Sequence, residues 1–188
     1  MMKKIVIVVD VQNGFTRYPN TENTAHEIDQ LLKTDLFDIV IATKFENNDN
    51  SVYSRILGWE RLKSKHDREL YGEIEKKASI VVRKNIYTCV NTDFIQKLSQ
   101  LNEGRIPEQV FLMGIDTDCC VLKIATDLFE LGIRPIVLTQ YCNSNGGEQS
   151  HLAGLTCLRR FIGKQQIVDG TINTKVELDS ILNKFVRD

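Results

Sequence analysis

Apolar residues along this chain fall into short continuous runs, separated by longer stretches in which they recur with a helical period. The first run, residues 4–11, reads K-I-V-I-V-V-D-V, β-branched and without alternation, as in a strand buried on both faces. Runs at 38–43, 79–82, 109–115, 134–139 and 166–168 predict further strands. Helices are expected over 25–33 with Thr24 as N-cap, from Thr92 as N-cap through 101, and over 119–131, 149–162 and 175–185. The polar stretch 44–53 reads as a loop running on into 54–59, and 61–77 as a solvated helix or an irregular charged surface segment. Strands alternating with helices predict a parallel sheet covered on both faces, with right-handed crossovers.

Composition narrows the picture. A length of 188 residues suits one domain with a full-sized core. A net charge of −1 gives no support for a nucleic-acid partner or an anionic membrane surface. Five cysteines, an odd number that includes an adjacent pair, make a poor disulfide framework and point to a reducing, cytoplasmic setting. The apolar N-terminal run stops at Asp10 after five residues, too short for a signal sequence, and no stretch approaches transmembrane length. The three histidines are scattered, the adjacent cysteines cannot imitate C-x-x-C, and no phosphate-binding loop occurs, so neither a metal nor a nucleotide cofactor is expected.

Polar residues at the carboxyl ends of predicted strands are the candidates for chemistry, because α/β sheets bind ligands there. Asp10 ends the first strand, either as a cap for the next turn or as a functional carboxylate. Lys84 follows the third strand, where a lysine is ordinarily only surface. Cys119 and Cys120 lie where the fourth strand turns into a helix. Free cysteines are ordinarily small, inert core residues. A helix N-terminus, however, favours a thiolate and is expected to lower the pKa of one of them. The two side chains point about 100° apart in a helical turn, so only one is expected to face a pocket. One cysteine, one carboxylate and one lysine suffice for covalent hydrolysis if they meet.

Three stretches resemble, in order, the motifs of the isochorismatase-like cysteine hydrolases, a superfamily of isochorismatases, nicotinamidases and amidases of carbamoyl and ureido compounds. Residues 8–15, V-V-D-V-Q-N-G-F, resemble the first motif and put its catalytic aspartate at Asp10. Residues 81–88, V-V-R-K-N-I-Y-T, resemble the lysine motif, at Lys84. Residues 114–121, G-I-D-T-D-C-C-V, resemble Gly-x-x-Thr-(Asp/Asn)-x-Cys-Val, which makes Cys120 the nucleophile and Cys119 the variable position before it. The resemblance covers nearly the whole chain. It implies a three-layer αβα, Rossmann-like fold with a six-stranded, mostly parallel sheet, and a homo-oligomer. It also implies a cis peptide at 115–116, with the N–H groups of Asp116 and Cys120 forming an oxyanion hole.

Two departures stand out. Nicotinamidases carry a metal-binding Asp-x-His after the second strand, where this chain has T-K-F-E-N at 43–47, so a zinc site is not expected. Position 116 holds Asp where a small residue is common. The resemblance thus implies a metal-independent hydrolase that opens the C–N bond of a small amide or carbamoyl- or ureido-type substrate through Cys120, Asp10 and Lys84 and a thioester. Gln12, Phe15, Arg55, Trp59 and Tyr87 are the candidates for the pocket, with simple packing or solvation the competing reading for Arg55 and Trp59. The rival readings are an isochorismatase-type vinyl ether hydrolase and a catalytically silent binding protein on the same fold.

Overall fold

The β-branched runs form six strands in a computed structural model that describes residues 3–185. They are β1 (Ile5–Val9), β2 (Ile39–Phe45), β3 (Ile80–Lys84), β4 (Gln109–Ile115), β5 (Arg134–Asn143) and β6 (Ile167–Val168). All pair in parallel, in the order β3-β2-β1-β4-β5-β6, where a mostly parallel sheet was expected. Strand order reverses between β1 and β4, which opens a crevice beyond their carboxyl ends. Asp10 follows β1 and Cys120 follows β4, so both sit at that crevice.

Alternate side chains of each strand enter opposite cores. Ile5, Ile7 and Val9 pack on one face with Phe94 and Leu98 of α5 (Thr92–Leu101), Ile124 and Leu128 of α6 (Leu122–Glu130), and Leu155 and Leu158 of α7 (Glu148–Phe161). Val6 and Val8 pack on the other with Ile28 and Leu31 of α1 (Pro19–Lys33), Ile74 of α4 (Ile74–Lys77), and Leu178 and Ile181 of α8 (Lys175–Asn183). Two short helices, α2 (Val52–Leu57) and α3 (Lys65–Arg68), stand over the crevice side. Gly114 carries the close approach of β4 to β1. A Cβ there would lie 2.2 Å from the Val9 carbonyl oxygen, and its φ of 136° excludes other residues.

Several boundaries differ from the sequence reading, each for a local reason. Helix α1 starts at Pro19 and buries Thr24 within it, because a proline at the first helical position is pre-set for the turn. Asn91, not Thr92, caps α5, its side chain accepting the Phe94 N–H at 2.9 Å. Strand β5 runs on past 139 to Asn143, and α8 ends at Asn183. The stretch 44–59 is not all loop: β2 reaches Phe45, and Ser51 caps α2. The charged stretch 61–77 buries Leu62, Leu70 and Ile74 and docks on the residues after β1.

Candidate active site

Asp10 leaves β1 with a φ of 50°, a left-handed conformation that a short polar side chain tolerates better than most. Its neighbour Thr43 on β2 fixes it twice: the Asp10 N–H donates to Thr43 Oγ1 at 3.0 Å, and the Thr43 hydroxyl donates to Asp10 Oδ1 at 2.6 Å. The carboxylate is buried completely.

Lys84, the last residue of β3, reaches the same point through the interior. Its ammonium lies 2.6 Å from Asp10 Oδ2, donates to Cys120 Sγ at 3.3 Å and to the Ile86 carbonyl at 3.0 Å, and sits over the Phe45 ring. One ion pair and two hydrogen bonds thus engage the ammonium. Burial opposes its charge, but the Asp10 carboxylate and the Cys120 sulfur outweigh that and hold its pKa above the usual lysine value. The ordinary surface reading of Lys84 does not hold: its side chain is 3% exposed.

Cys120 stands on a π-helical turn, Thr117–Val121, between β4 and α6. The turn is pinned from behind: Thr117 Oγ1 meets His151 Nδ1 of α7 at 2.8 Å, and a Cβ on Gly154 of α7 would lie 2.7 Å from the Asp118 nitrogen. The Ile115–Asp116 peptide is cis. The thiol differs from the sequence expectation. Its pKa lies well above the usual cysteine value, pushed up first by burial and then by the nearby Asp10 carboxylate, while Lys84 pulls it down. Burial thus works against the thiolate that the helix position led one to expect. Cys119 also lines the crevice, contrary to the expectation that only one cysteine would face it. Its pKa is pushed up to about 12 by burial and by Asp118 and Asp116.

Above Cys120 lies a cavity of about 240 Å³. Phe15, Phe45, Tyr53, Trp59 and Tyr87 line one side. Phe15 and Trp59 are stacked with centroids 6.0 Å apart, and Tyr53 meets Phe45 and Tyr87 edge-on at 5.1 Å each. Asp116, Asn145 and Arg61 supply polar groups.

Residues 4–166 match the family model for the isochorismatase domain. The chain belongs to the isochorismatase family. Solved structures show the same fold. The isochorismatase-like hydrolase from Alkaliphilus metalliredigens superposes with a TM-score of 0.74 at 20% identity, over 96% of this chain and 99% of that one. The pyrazinamidase of Pyrococcus horikoshii, in complex with zinc, gives 0.74 at 15% identity over 90% and 99%. The N-carbamoylsarcosine amidase of Thermoplasma acidophilum gives 0.70 at 22% identity over 89% and 95%. No protein of curated function matches the chain.

The expectation of no zinc site turns on residues 43–47, at the end of β2. Here Lys44 pairs with Glu75 at 3.6 Å and Glu46 with Arg83 at 3.3 Å. A cation and an already paired carboxylate do not make a zinc ligand set, and no group of three potential ligands occurs among the described residues.

Of the candidate pocket residues, the structure brings Phe15, Trp59 and Tyr87 to the cavity and leaves two elsewhere. Gln12 is buried beneath it as a brace. Its amide donates to the carbonyls of Phe45 and Arg68, both at 3.0 Å, and accepts the Phe45 N–H at 2.7 Å. Arg55 is exposed on α2 and lines nothing. Sequence reasoning missed Tyr53, Phe45, Arg61 and Asn145. The aromatic enrichment of 45–59 was the one available signal for the first two; nothing in the sequence marked Asn145 as a neighbour of Asp116, 29 residues away.

Proposed function

We propose that this isochorismatase-family protein hydrolyses the C–N bond of a small amide or carbamoyl- or ureido-type compound through Cys120, Asp10 and Lys84. One observation carries the reading: a buried ammonium reaches both a carboxylate, at 2.6 Å, and a thiol, at 3.3 Å, that lines a small cavity. That geometry suits a thiol that is neutral at rest. As Sγ attacks the carbonyl carbon, its proton passes to Asp10, and the negative charge moves from carboxylate to sulfur within the field of Lys84. Separating charge beside a fixed cation costs far less than in its absence. The N–H groups of Asp116 and Cys120, at the start of the turn, receive the developing oxyanion. Asp10 then returns the proton to the departing nitrogen, which leaves as ammonia or an amine, and a thioester remains on Cys120. A water molecule attacks it, giving its proton to Asp10, and the thiol takes that proton back as the acid departs. The nicotinamidases and the N-carbamoylsarcosine amidase that share the fold are named for such C–N hydrolysis.

A panel of small primary amides and carbamoyl compounds, assayed for ammonia release, tests this. Turnover by the wild type, its loss in Cys120→Ala, and an acyl mass on the Cys120 peptide of the quenched wild-type reaction are the expected results. Ammonia release by Cys120→Ala at the wild-type rate overturns the nucleophile.

A further inference from the structure

Asp116 takes no part in the proton transfers above through its side chain, yet that side chain lines the cavity with Cys120. Its Oδ1 accepts both the backbone N–H of Asn145, at 2.8 Å, and the Asn145 side-chain amide, at 2.7 Å. Both bonds fall on one oxygen, and Oδ2 has none among the described residues. The Asn145 amide is oriented by this contact, because the reverse placement would set two acceptors against each other. Its own oxygen is left buried without a hydrogen-bond partner. An unpaired buried acceptor is costly unless something supplies a donor. The cavity is thus lined by a carboxylate with one free oxygen and by Asn145, whose own orphaned oxygen is buried, together with the rings of Phe15 and Trp59. Every one of these features is complementary to a donor, and together they fit a positively charged one. Two cations are nearby. Lys84 has spent its donors, and Arg61 is exposed, where water and salt screen it.

We infer that Asp116 and Asn145 form a subsite for a planar, N–H-rich cation, of amidinium or guanidinium type, on the substrate that Cys120 attacks. The inference rests on reading the cavity as the substrate pocket of the proposed hydrolase. It explains why a carboxylate stands at a position where burial works against it.

Benzamidinium and benzamide, nearly the same in shape but different in charge and donors, separate the possibilities without turnover. Binding to the intact protein is measured by calorimetry at pH 8, with slowing of iodoacetamide labelling at Cys120 as proof of location. The wild type should bind benzamidinium at least about tenfold more tightly than benzamide, a difference within reach of one desolvated cation contact. Asp116→Asn keeps the shape and removes the charge, and should reduce that preference to about threefold or less. Equal affinities in the wild type, or an undiminished preference in Asp116→Asn, overturns the subsite. A preference for the cation in a protein that hydrolyses no amide leaves the subsite standing and refutes the proposed reaction; amide hydrolysis through Cys120 with equal affinities does the reverse.

Discussion

Asp10, Lys84 and Cys120 stand at the ends of strands; Phe15, Tyr53 and Trp59 stand on turns and a short helix between strands. The first group is the floor, which reaches the cavity through Cys120 with Asp10 and Lys84 buried against it, and the second is the cavity's wall. Parallel pairing of β3 to β2 and β2 to β1 holds Lys84 and Asp10, and the turn after β4, pinned by α7, holds Cys120. The wall is a small cluster of its own: Phe45, Tyr53 and Leu62 are buried together, with Phe15 and Trp59 packed against them. Polar side chains hold it in place. Asn47 donates to the carbonyls of Trp59 and Arg61, both at 2.9 Å, and Gln12 ties Phe45 to Arg68. Such a division lets the wall vary in shape while the floor keeps its chemistry. Asp116 belongs to both, with a backbone on the floor and a side chain facing the cavity.

The largest expected effect lies on the floor. Asp10 raises the Cys120 pKa and Lys84 lowers it. Asp10→Asn leaves the lysine without its opponent, so the thiol pKa should fall. Alkylation of Cys120 at pH 8 should speed up by about tenfold. Hydrolysis should slow by about a thousandfold, since the proposed base is removed. Opposite movement of the two rates is the signature. If both fall together, Asp10 acts by holding the fold, and the floor is a structural ion pair.

Next in size is a pH effect on stability. Burial raises the Asp116 pKa to about 6, helped by repulsion from Asp118 and Asp10 and opposed by the two Asn145 donors. The usual value is 3.8, so the folded protein binds this proton more tightly than the unfolded chain. The associated stability is fully present below about pH 4 and lost as pH rises through about 6. Denaturation of wild type and Asp116→Asn at pH 4, 5, 6 and 7 should show a gap that opens over this window in favour of the variant, reaching up to about 3 kcal/mol. A gap that does not change with pH places the carboxyl in water and removes it from the cavity side.

The same division explains what the sequence could show. Continuous β-branched runs mark buried strands whatever surrounds them, so six strands and their parallel pairing were legible, and with them Asp10 and Lys84 as charges that end such runs. The motif at 114–121 placed Cys120. The thiol's state was not legible, because helix position is local, whereas burial depends on the whole sheet edge. The wall was hardly legible at all. Residues 45–77 form helices of one or two turns that show no period and depend on caps at Ser51 and Ser64. Gln12 misled for a related reason: a polar residue beside the sheet edge reads as a ligand contact, yet here it binds loop carbonyls.

On the wall, Trp59→Ala should remove the stacking partner of Phe15 and raise KM for the best amide by about tenfold, a cost of about 1.4 kcal/mol. Labelling of Cys120 by iodoacetamide should stay within about twofold, because the reagent needs little of the wall and the pairing of β1 to β4 does not involve it. A matching loss of labelling would mean that wall and floor are one cooperative unit.

The smallest effect is expected at Arg55. On α2, Tyr53 points into the cluster and is buried. At about 100° per residue, a side chain two positions later lies about 200° around the helix, and one four positions later returns to within about 40°. Leu57 accordingly lines the cavity, and Arg55 faces solvent with no ion pair among the described residues. Arg55→Ala should therefore change stability by about 0.5 kcal/mol or less and kcat/KM by less than about twofold. Leu57→Ala, two residues further along the same helix, is the internal control and should raise KM by several-fold while leaving Cys120 labelling alone. A large KM increase in Arg55→Ala would require α2 to rotate onto the substrate, and the wall would then be a closing element rather than a fixed one.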